Sequence, residues 1–413
     1  MKRLALALLW SMAGLWALAI FGNVAARVNR WDFSHYYLSA LALRQGANPY
    51  LIDLNSVPGA AGMELGLINH ASYPPTFLLC FEPFTLMPPV PAYWTWFGLN
   101  LAALTVALAM LLGGRSEIDF VTGASLVALA ILYPPLSNHF KFAQTQIVIL
   151  LLLVVAMRAL ASGNDPLAGL ILAFAGLLKV FPLVMAGYLI VGRRWRALGW
   201  MIAGLVAGGC LTLALVGVKR SFSFIGQASF LTSRHWYDQA ANLSVSATVS
   251  QVFWYTFGNS LSWPLDLLRH TASAATEFGL LALTIRATAS RAERGQDPDS
   301  SAFALWVVAM ILLAPTAWLH YLVLLFIPFA QITIAVCGER ASRRTVRMMI
   351  ASYIIIIVGM LTLGAFESSF SEQLVIAFRE LAFVSLVMAY IATYWFVRDA
   401  PGEMQATGPA ASR

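Results

Sequence analysis

Uncharged apolar runs, separated by short polar or basic segments, repeat along almost the whole chain. The first run, Leu4 to Val24, contains 21 residues without a charge. A helix of that length crosses the roughly 30 Å hydrocarbon core of a bilayer at about 1.5 Å per residue. The pattern predicts about twelve membrane-spanning helices. After the first, they are expected near 94–113, 118–135, 146–161, 166–178, 180–192, 197–217, 272–289, 302–318, 320–337, 348–365 and 374–397.

Some apolar segments allow more than one interpretation. The segment from Thr76 to Val90 contains Glu82 and several prolines, which favours a short interfacial or re-entrant helix. The runs at 166–178 and 180–192 are short for full crossings, so they form either one broken helix or two shielded ones. A cleaved signal peptide is the alternative interpretation of the first run. That run exceeds an h-region of about 7–15 residues, and many similar runs follow it.

Basic residues in the breaks predict the orientation. Lys2 and Arg3 precede the first run, so the positive-inside bias predicts a cytoplasmic N-terminus. Two long segments, about 25–93 and 218–271, then form outer-face loops rich in polar and aromatic residues. The second loop includes Arg234, His235, Trp236, Tyr237 and Asp238. The alternation puts the remaining basic clusters on the cytoplasmic side: Arg115, Arg158, Arg193 to Arg196, Arg286 to Arg294, and Arg340 to Arg347.

The amino-acid composition also indicates an integral membrane protein. Hydrophobic residues make up 60% of the chain and charged residues 11%, against roughly 45–50% and 25% in soluble domains. We expect one integral membrane domain over 1–397 and a disordered cytoplasmic tail over 398–413. The net charge of +7 lies mostly in the breaks, so it indicates contact with membrane lipids rather than nucleic acid. Cys80, Cys210 and Cys337 lie in apolar stretches without metal-ligand spacing.

Asp32 is the main candidate for chemistry, because a carboxylate near hydrocarbon needs water, a partner or a function. It lies in the segment Arg30-Trp31-Asp32-Phe33-Ser34-His35-Tyr36-Tyr37, directly after the first span. The alternative is an interfacial anchor paired with Arg27 or Arg30. Aromatic neighbours favour a pocket in which a sugar ring stacks and a hydroxyl is held. Those neighbours are Trp31, Tyr36 and Tyr37.

Further candidates interrupt the apolar runs. Lys179 precedes Pro182, where a helix would break, and is either a snorkelling lysine or a phosphate-binding cation. His320, next to Tyr321, is either structural or a donor to a leaving phosphate oxygen. Buried amides bond to backbone or to a ligand, and both outcomes are open here. The amides concerned are Gln144, Gln146 and Asn242.

These segments resemble a known family. Asp32 to Tyr37 and Ala40 to Tyr50 are similar to the first outer loop of glycosyltransferase family 87, GT-C-type membrane mannosyltransferases that use a polyprenyl-phosphate sugar. The resemblance implies an all-α GT-C-type fold with about 10–13 transmembrane helices and two long outer-face loops. The further similar segments are Tyr73-Pro74-Pro75, Gln144-Thr145-Gln146, Lys179-Val180-Phe181-Pro182 with Arg193-Arg194-Trp195, and Trp318-Leu319-His320-Tyr321.

The resemblance also implies roles for individual residues. Asp32 takes the family's acidic position and is expected to be the general base, with His320 as the second catalytic residue. A polyprenyl phosphate is already a good leaving group, so one carboxylate and nearby cations suffice, and a single displacement inverts the anomeric centre. The expected substrate-binding residues are Tyr36, Tyr37, Tyr73, Gln144, Gln146, Lys179, Asn242 and Tyr321.

The sequence therefore predicts a multi-pass hexosyltransferase of the bacterial cytoplasmic (inner) membrane, with its active site on the periplasmic face. Its expected substrates are a polyprenyl-phosphate sugar, with mannose as the hexose, and a lipid or glycan acceptor. A lipid-linked-sugar flippase or solute transporter is the alternative, and a non-enzymatic scaffold is a third. No cofactor is expected, although a divalent cation shared by Asp32, Glu82 and His35 stays open.

Overall fold

A computed structural model describes residues 2–28, 30–60, 62–65, 68–231, 242–258, 260–293, 300–366 and 372–399. Regular structure in these ranges is helical, apart from an isolated bridge between Arg30 and Glu64. Short 3-10 helices cover Leu54–Ser56, Glu82–Leu86, Phe181–Val184 and Leu319–Leu325. The α-helices in chain order are α1 (Lys2–Ala25), α2 (Trp31–Arg44), α3 (Pro75–Phe81), α4 (Pro89–Leu112), α5 (Phe120–Leu132), α6 (Pro134–Lys141), α7 (Gln146–Ala161), α8 (Asp165–Leu178), α9 (Met185–Val191), α10 (Trp195–Val216), α11 (Val218–Leu231), α12 (Val245–Phe257), α13 (Trp263–Glu293), α14 (Ser300–Leu312), α15 (Phe326–Cys337), α16 (Arg343–Phe366) and α17 (Glu372–Asp399).

Several helices have the length and composition of membrane spans. Within the described ranges five qualify, or up to six if α5 and α6, bent by 52° relative to each other, form one broken span. Others, such as α7, α8 and α14, are apolar but shorter. The prediction of an all-α polytopic membrane protein is confirmed, whereas several of the twelve predicted spans are helices too short to cross a bilayer alone.

A break separates α8 from the next helix, and α8 is too short to cross a bilayer alone. α8 has 14 residues, so it is about 21 Å long and shorter than a hydrocarbon core of about 30 Å. Pro182 follows within the 3-10 helix Phe181–Val184, which leads into α9. The runs at 166–178 and 180–192 are thus two helices that meet at Lys179. A 14-residue helix that starts at one membrane surface would end before it reaches the other.

Glycines bring α8 and α10 close together. A Cβ at Gly169 would lie 2.2 Å from the Ala197 carbonyl oxygen and 2.7 Å from the Met201 nitrogen. On α10, a Cβ at Gly204 would lie 2.8 Å from the Cβ of Ala173. Such close backbone approach is how helices gain van der Waals contact in a bilayer, where no hydrophobic force drives them together.

The loops that carry the predicted cytoplasmic charges meet at one end of the helices. Arg340 forms an ion pair with Glu117 at 2.8 Å, and Arg158 donates to the carbonyl oxygen of Gly113 at 3.4 Å. Arg344 pairs with Asp399. These contacts join loops that are distant in sequence, and the segments around Asp32, Tyr73, Gln144 and Lys179 lie at the other end of the same helices.

The two segments expected as outer loops are largely helical. Residues 31–44 form α2 and 75–81 form α3, while the second segment contains α11, α12 and the start of α13. The aromatic and aliphatic side chains of α2 are buried from Phe33 to Leu43, which explains why this polar-looking segment folds as a packed helix. The short helix expected within 76–90 is α3, continued by the 3-10 helix Glu82–Leu86. Residues 234–238 lie outside the described ranges.

Candidate functional site

Asp32 is in the first turn of α2, where a carboxylate is favoured by the helix dipole. The preceding Trp31 has a φ of 52°, in the left-handed region that bulky residues rarely adopt. Its backbone N–H donates to the carbonyl oxygen of Glu64 at 2.8 Å, and Arg30 pairs with the Glu64 carboxylate at 3.2 Å. The ion pair of Arg30 is therefore made with Glu64, and it fixes the chain just before Asp32.

A hydrogen-bond network holds the Asp32 carboxylate. The Tyr73 hydroxyl donates to Oδ1 of Asp32 at 3.4 Å, and the Gln144 side chain donates to the same carboxylate. The Tyr36 hydroxyl lies 3.1 Å from both the Tyr73 hydroxyl and Oε1 of Gln144. Because Gln144 accepts through its oxygen, its amide nitrogen is left to face Asp32. Asp32 itself stays partly exposed, so a ligand can reach its free lone pairs.

The surroundings of Asp32 change its protonation. Burial raises the pKa of Asp32 to about 6, and the Lys179 charge and the hydrogen bonds from Gln144 and Tyr73 lower it in part. Burial also raises the pKa of Tyr36 and Tyr73 well above that of a free phenol, so both hydroxyls stay neutral donors. A carboxylate with a pKa near the operating pH is suited to accept a proton from a hydroxyl.

Lys179 brings a cation close to Asp32, Tyr36, Tyr73 and Gln144, and we call these residues together the Asp32 cluster. Lys179 is buried at the junction after α8, and its Nζ lies 4.7 Å from the Tyr321 ring and 5.7 Å from the Tyr73 ring. A snorkelling lysine would extend towards the membrane surface, whereas this side chain is directed inward among aromatic rings. A buried ammonium next to a carboxylate, with aromatic walls, can hold a phosphate.

His320 reaches the cluster from the other half of the chain. Its Nδ1 lies 3.2 Å from Oδ1 of Asn138 on α6, and because an amide oxygen accepts, Nδ1 carries the proton. Nε2 is then available to a ligand. The neighbouring His139 is fully buried and its Nε2 bonds to Oδ1 of Asn100 at 3.1 Å. Asn138 and His139 were not among the predicted site residues, although two polar residues shortly after the proline pair Pro134-Pro135 in an apolar run are a signal.

The remaining candidates divide between the cluster and the scaffold. Gln146 is fully buried at the start of α7 and interacts with Tyr321. Tyr37 donates to the carbonyl oxygen of Met87 at 2.8 Å, away from Asp32. Oδ1 of Asn242 accepts from the backbone N–H groups of Ser244 and Ala317. Tyr37 and Asn242 therefore bond to backbone in the structure, and their predicted substrate contacts stay predictions.

A shared cation at Asp32, Glu82 and His35 has no support in the geometry. His35 bonds through Nε2 to the carbonyl oxygen of His70 at 2.6 Å, and burial lowers its pKa to about 4. Among the described residues, no group of three or more His, Cys, Asp or Glu side chains is placed to hold a metal ion. The expectation that no cofactor is needed stays a prediction.

Comparison with known proteins adds an independent observation. The family model of glycosyltransferase family 87 matches residues 71–316, which is more than half of the chain. The chain belongs to glycosyltransferase family 87. The resemblance predicted from the sequence is thereby confirmed. The matched region contains Tyr73, Gln144 and Lys179. His320 lies four residues beyond its end, and Asp32 lies 39 residues before its start.

A relative among curated proteins is a polyprenol-phosphate-mannose-dependent alpha-(1-2)-phosphatidylinositol pentamannoside mannosyltransferase of Mycobacterium tuberculosis (strain CDC 1551 / Oshkosh). It is 26% identical over 259 residues, which cover 60% of this chain and 55% of the relative. The chain therefore matches about half the length of this relative. The name of that protein gives polyprenol-phosphate-mannose as the compound on which it depends.

Proposed function

We propose that this family 87 protein is a hexosyltransferase that moves mannose from a polyprenyl-phosphate donor to an acceptor on the outer face of the bacterial inner membrane. The observation that carries the proposal is the Asp32 cluster. One partly exposed carboxylate, held by Tyr73 and Gln144, lies in the same buried cluster as the ammonium of Lys179. Family membership and the donor of the relative support the same conclusion.

Asp32 acts as the general base. An acceptor hydroxyl attacks the anomeric carbon of the donor sugar, its proton passes to Asp32, and a new C–O bond forms. The bond between the anomeric carbon and the phosphate oxygen breaks, and its electron pair stays on the phosphate. A single displacement inverts the anomeric centre, so a β-linked donor gives an α-linked product. No second carboxylate is needed, because no covalent sugar–enzyme intermediate forms.

Lys179 and His320 stabilise the departing phosphate. The Lys179 ammonium offers a charge to the phosphate, and His320, oriented by Asn138, presents Nε2 on the same side. Because Nδ1 already carries a proton, donation from Nε2 requires the imidazolium, a form that the negative charge of a bound phosphate favours. That hydrogen bond would strengthen as charge builds on the leaving oxygen. The junction at Lys179 follows a helix of only 14 residues, and a site reached part-way across the bilayer would suit a donor whose prenyl chain stays among the lipids.

Substitution of Asp32 tests the proposal. The Asp32→Asn variant preserves the shape of the side chain and removes the base, so we expect transfer to fall on the order of 10²–10⁴-fold. The assay uses the full-length protein in nanodiscs, a radiolabelled polyprenyl-phosphate mannose, and a lipid extract of the host membrane as acceptor source. Asp53→Asn is the matched control, because Asp53 is an exposed carboxylate of the same outer segment.

The outcomes separate catalysis from anchoring and from transport. Near-normal turnover of purified Asp32→Asn would exclude Asp32 as the base and favour the interfacial anchor. Absence of transfer in the unmodified protein, together with movement of the lipid-linked sugar across proteoliposome membranes, would favour a flippase. Equal losses in the Asp32 and Asp53 variants would attribute the effect to folding of the outer segment.

A further inference from the structure

Two cations flank the aromatic residue that precedes Asp32. The guanidinium carbon of Arg27 lies 4.7 Å from the centroid of the Trp31 ring, and Nζ of Lys141 lies 5.5 Å from it. The Trp31 ring packs on Phe142 at 4.9 Å between centroids, and Lys141 lies 5.2 Å from that second ring. We name Arg27, Trp31 and Lys141 the tryptophan clamp.

The tryptophan clamp lies where lipid phosphates are expected. Arg27 follows α1, whose surface is mostly exposed and therefore faces lipid, and Lys141 ends α6, which packs against α1. Both cations are thus at the outer end of a lipid-facing helix. Lysine and arginine at this depth meet the phosphates of the headgroup region.

The clamp is a fixed part of the fold. Trp31 keeps a left-handed backbone conformation because its N–H bonds to Glu64, while Arg30 occupies the Glu64 carboxylate. Glu64 therefore does not serve the clamp, and among the described residues no ion pair joins Arg27 to a carboxylate. Strained backbone that is held in this way is common at ligand sites. The next residue in the chain is Asp32.

We propose that the tryptophan clamp binds the phosphate of an anionic lipid acceptor and presents that lipid's sugar hydroxyl to Asp32. This inference rests on the proposed function, in which Asp32 activates the acceptor. The donor phosphate must adjoin the anomeric carbon, so it belongs with the buried Lys179. The clamp is at the lipid-facing surface on the α1 side of Asp32. It suits a phosphate that is separated from the reacting hydroxyl by a headgroup sugar.

Equilibrium lipid binding to the full-length protein in detergent, measured by native mass spectrometry, tests the clamp. The probes are phosphatidylinositol, phosphatidylcholine, undecaprenyl phosphate and inorganic phosphate. For the double variant Arg27→Gln with Lys141→Gln, we expect phosphatidylinositol affinity to fall by about tenfold or more, because two charge-assisted contacts are lost. Undecaprenyl phosphate affinity is expected to stay within about twofold.

Two controls keep a folding defect from being mistaken for a lost site. The charge-preserving double variant, Arg27→Lys with Lys141→Arg, should retain phosphatidylinositol binding within about threefold, since lysine and arginine both bind phosphate through their charge. Lys219→Gln removes an exposed cation outside the clamp and should leave all affinities unchanged. Phosphatidylcholine should bind weakly to every variant.

Three outcomes would overturn the inference. Unchanged phosphatidylinositol binding in the Gln double variant would exclude the clamp as a phosphate site. An equal loss of undecaprenyl phosphate would assign the clamp to the donor, and displacement of phosphatidylinositol by millimolar inorganic phosphate would indicate a site for the free anion. The Asp32→Asn variant separates this inference from the proposed function. It should lose transfer and keep phosphatidylinositol binding. If it kept both, Asp32 would not be the base, whereas the clamp would still bind the lipid.

Discussion

At the residue scale, burial and hydrogen bonding act in opposite directions on the Asp32 carboxyl. Burial dominates, so the pKa rises to about 6 although Lys179, Gln144 and Tyr73 lower it in part. The protonated form is therefore the one that folding favours, and stability is lost as the pH rises from about 4 through 6. The proposed role of Asp32 as the base needs the ionised form that burial disfavours. Under that proposal, the protein loses some stability and gains a base that works near neutral pH.

The pH dependence of transfer follows from this shift. Below pH 6 the base of the free enzyme is protonated, so kcat/KM should fall about tenfold per pH unit, and above pH 7 it should level off. The measurement is kcat/KM for the donor between pH 4.5 and 8 in nanodiscs. Circular dichroism at each pH checks that the protein stays folded. A kcat/KM that stays nearly level down to pH 4.5 would mean that Asp32 is solvated like an ordinary carboxylate.

Substitution of Lys179 should affect both donor binding and this pH profile. Lys179→Met removes a charge that lowers the pKa of Asp32, so the acidic limb should move to higher pH while donor affinity falls by about tenfold. His320→Ala should lower turnover more than affinity, since its hydrogen bond strengthens in the transition state. Donor affinity and single-turnover rates, measured separately, distinguish the two roles. Lys219→Met is the control, and unchanged values for both variants would remove these residues from the site.

At the element scale, the helices were predictable and their contacts were not. Apolar runs indicate α4, α7 and α10 directly, because length and absence of charge are local properties. The first turn of α2 was taken for a loop, because its polar and aromatic residues do not show the helix that tertiary burial imposes. The bond between Asn138 and His320 joins residues 182 positions apart. A contact between residues so far apart cannot be deduced from their spacing in the sequence.

The packing of α8 against α10 gives a prediction at this scale. Gly169→Val places side-chain atoms where a Cβ already approaches the Ala197 and Met201 backbone. Overpacking of this kind typically costs about 1–3 kcal/mol. Since α8 ends at Lys179, donor affinity should fall together with thermal stability in detergent. Gly199→Val on α10 is the control, because no atom lies within 4 Å of a Cβ there. An unchanged melting temperature for Gly169→Val would show that the helices separate without loss.

At the scale of the whole molecule, the two ends have different chemistry. One end gathers the arginine-rich loops around Glu117 and Arg340, and the other contains Asp32, Lys179 and the tryptophan clamp. The positive-inside bias assigns the first end to the cytoplasm. With that predicted orientation, a lipid-linked donor would reach the second end by diffusion in the outer leaflet, whereas a cytosolic nucleotide sugar would be on the wrong side. Orientation therefore decides between donor classes.

Cysteine labelling measures that orientation. In a variant without Cys80, Cys210 and Cys337, Ser56→Cys and Ser116→Cys each introduce one thiol at an exposed position, on the 3-10 helix Leu54–Ser56 and in the loop between α4 and α5. An impermeant maleimide added to intact spheroplasts should modify the Ser56 variant, and the Ser116 variant only after permeabilisation. The cysteine-free protein is the blank. Labelling of Ser116→Cys but not Ser56→Cys in intact spheroplasts would place Asp32 at the cytoplasmic face, where an outer-leaflet polyprenyl-phosphate sugar cannot reach it.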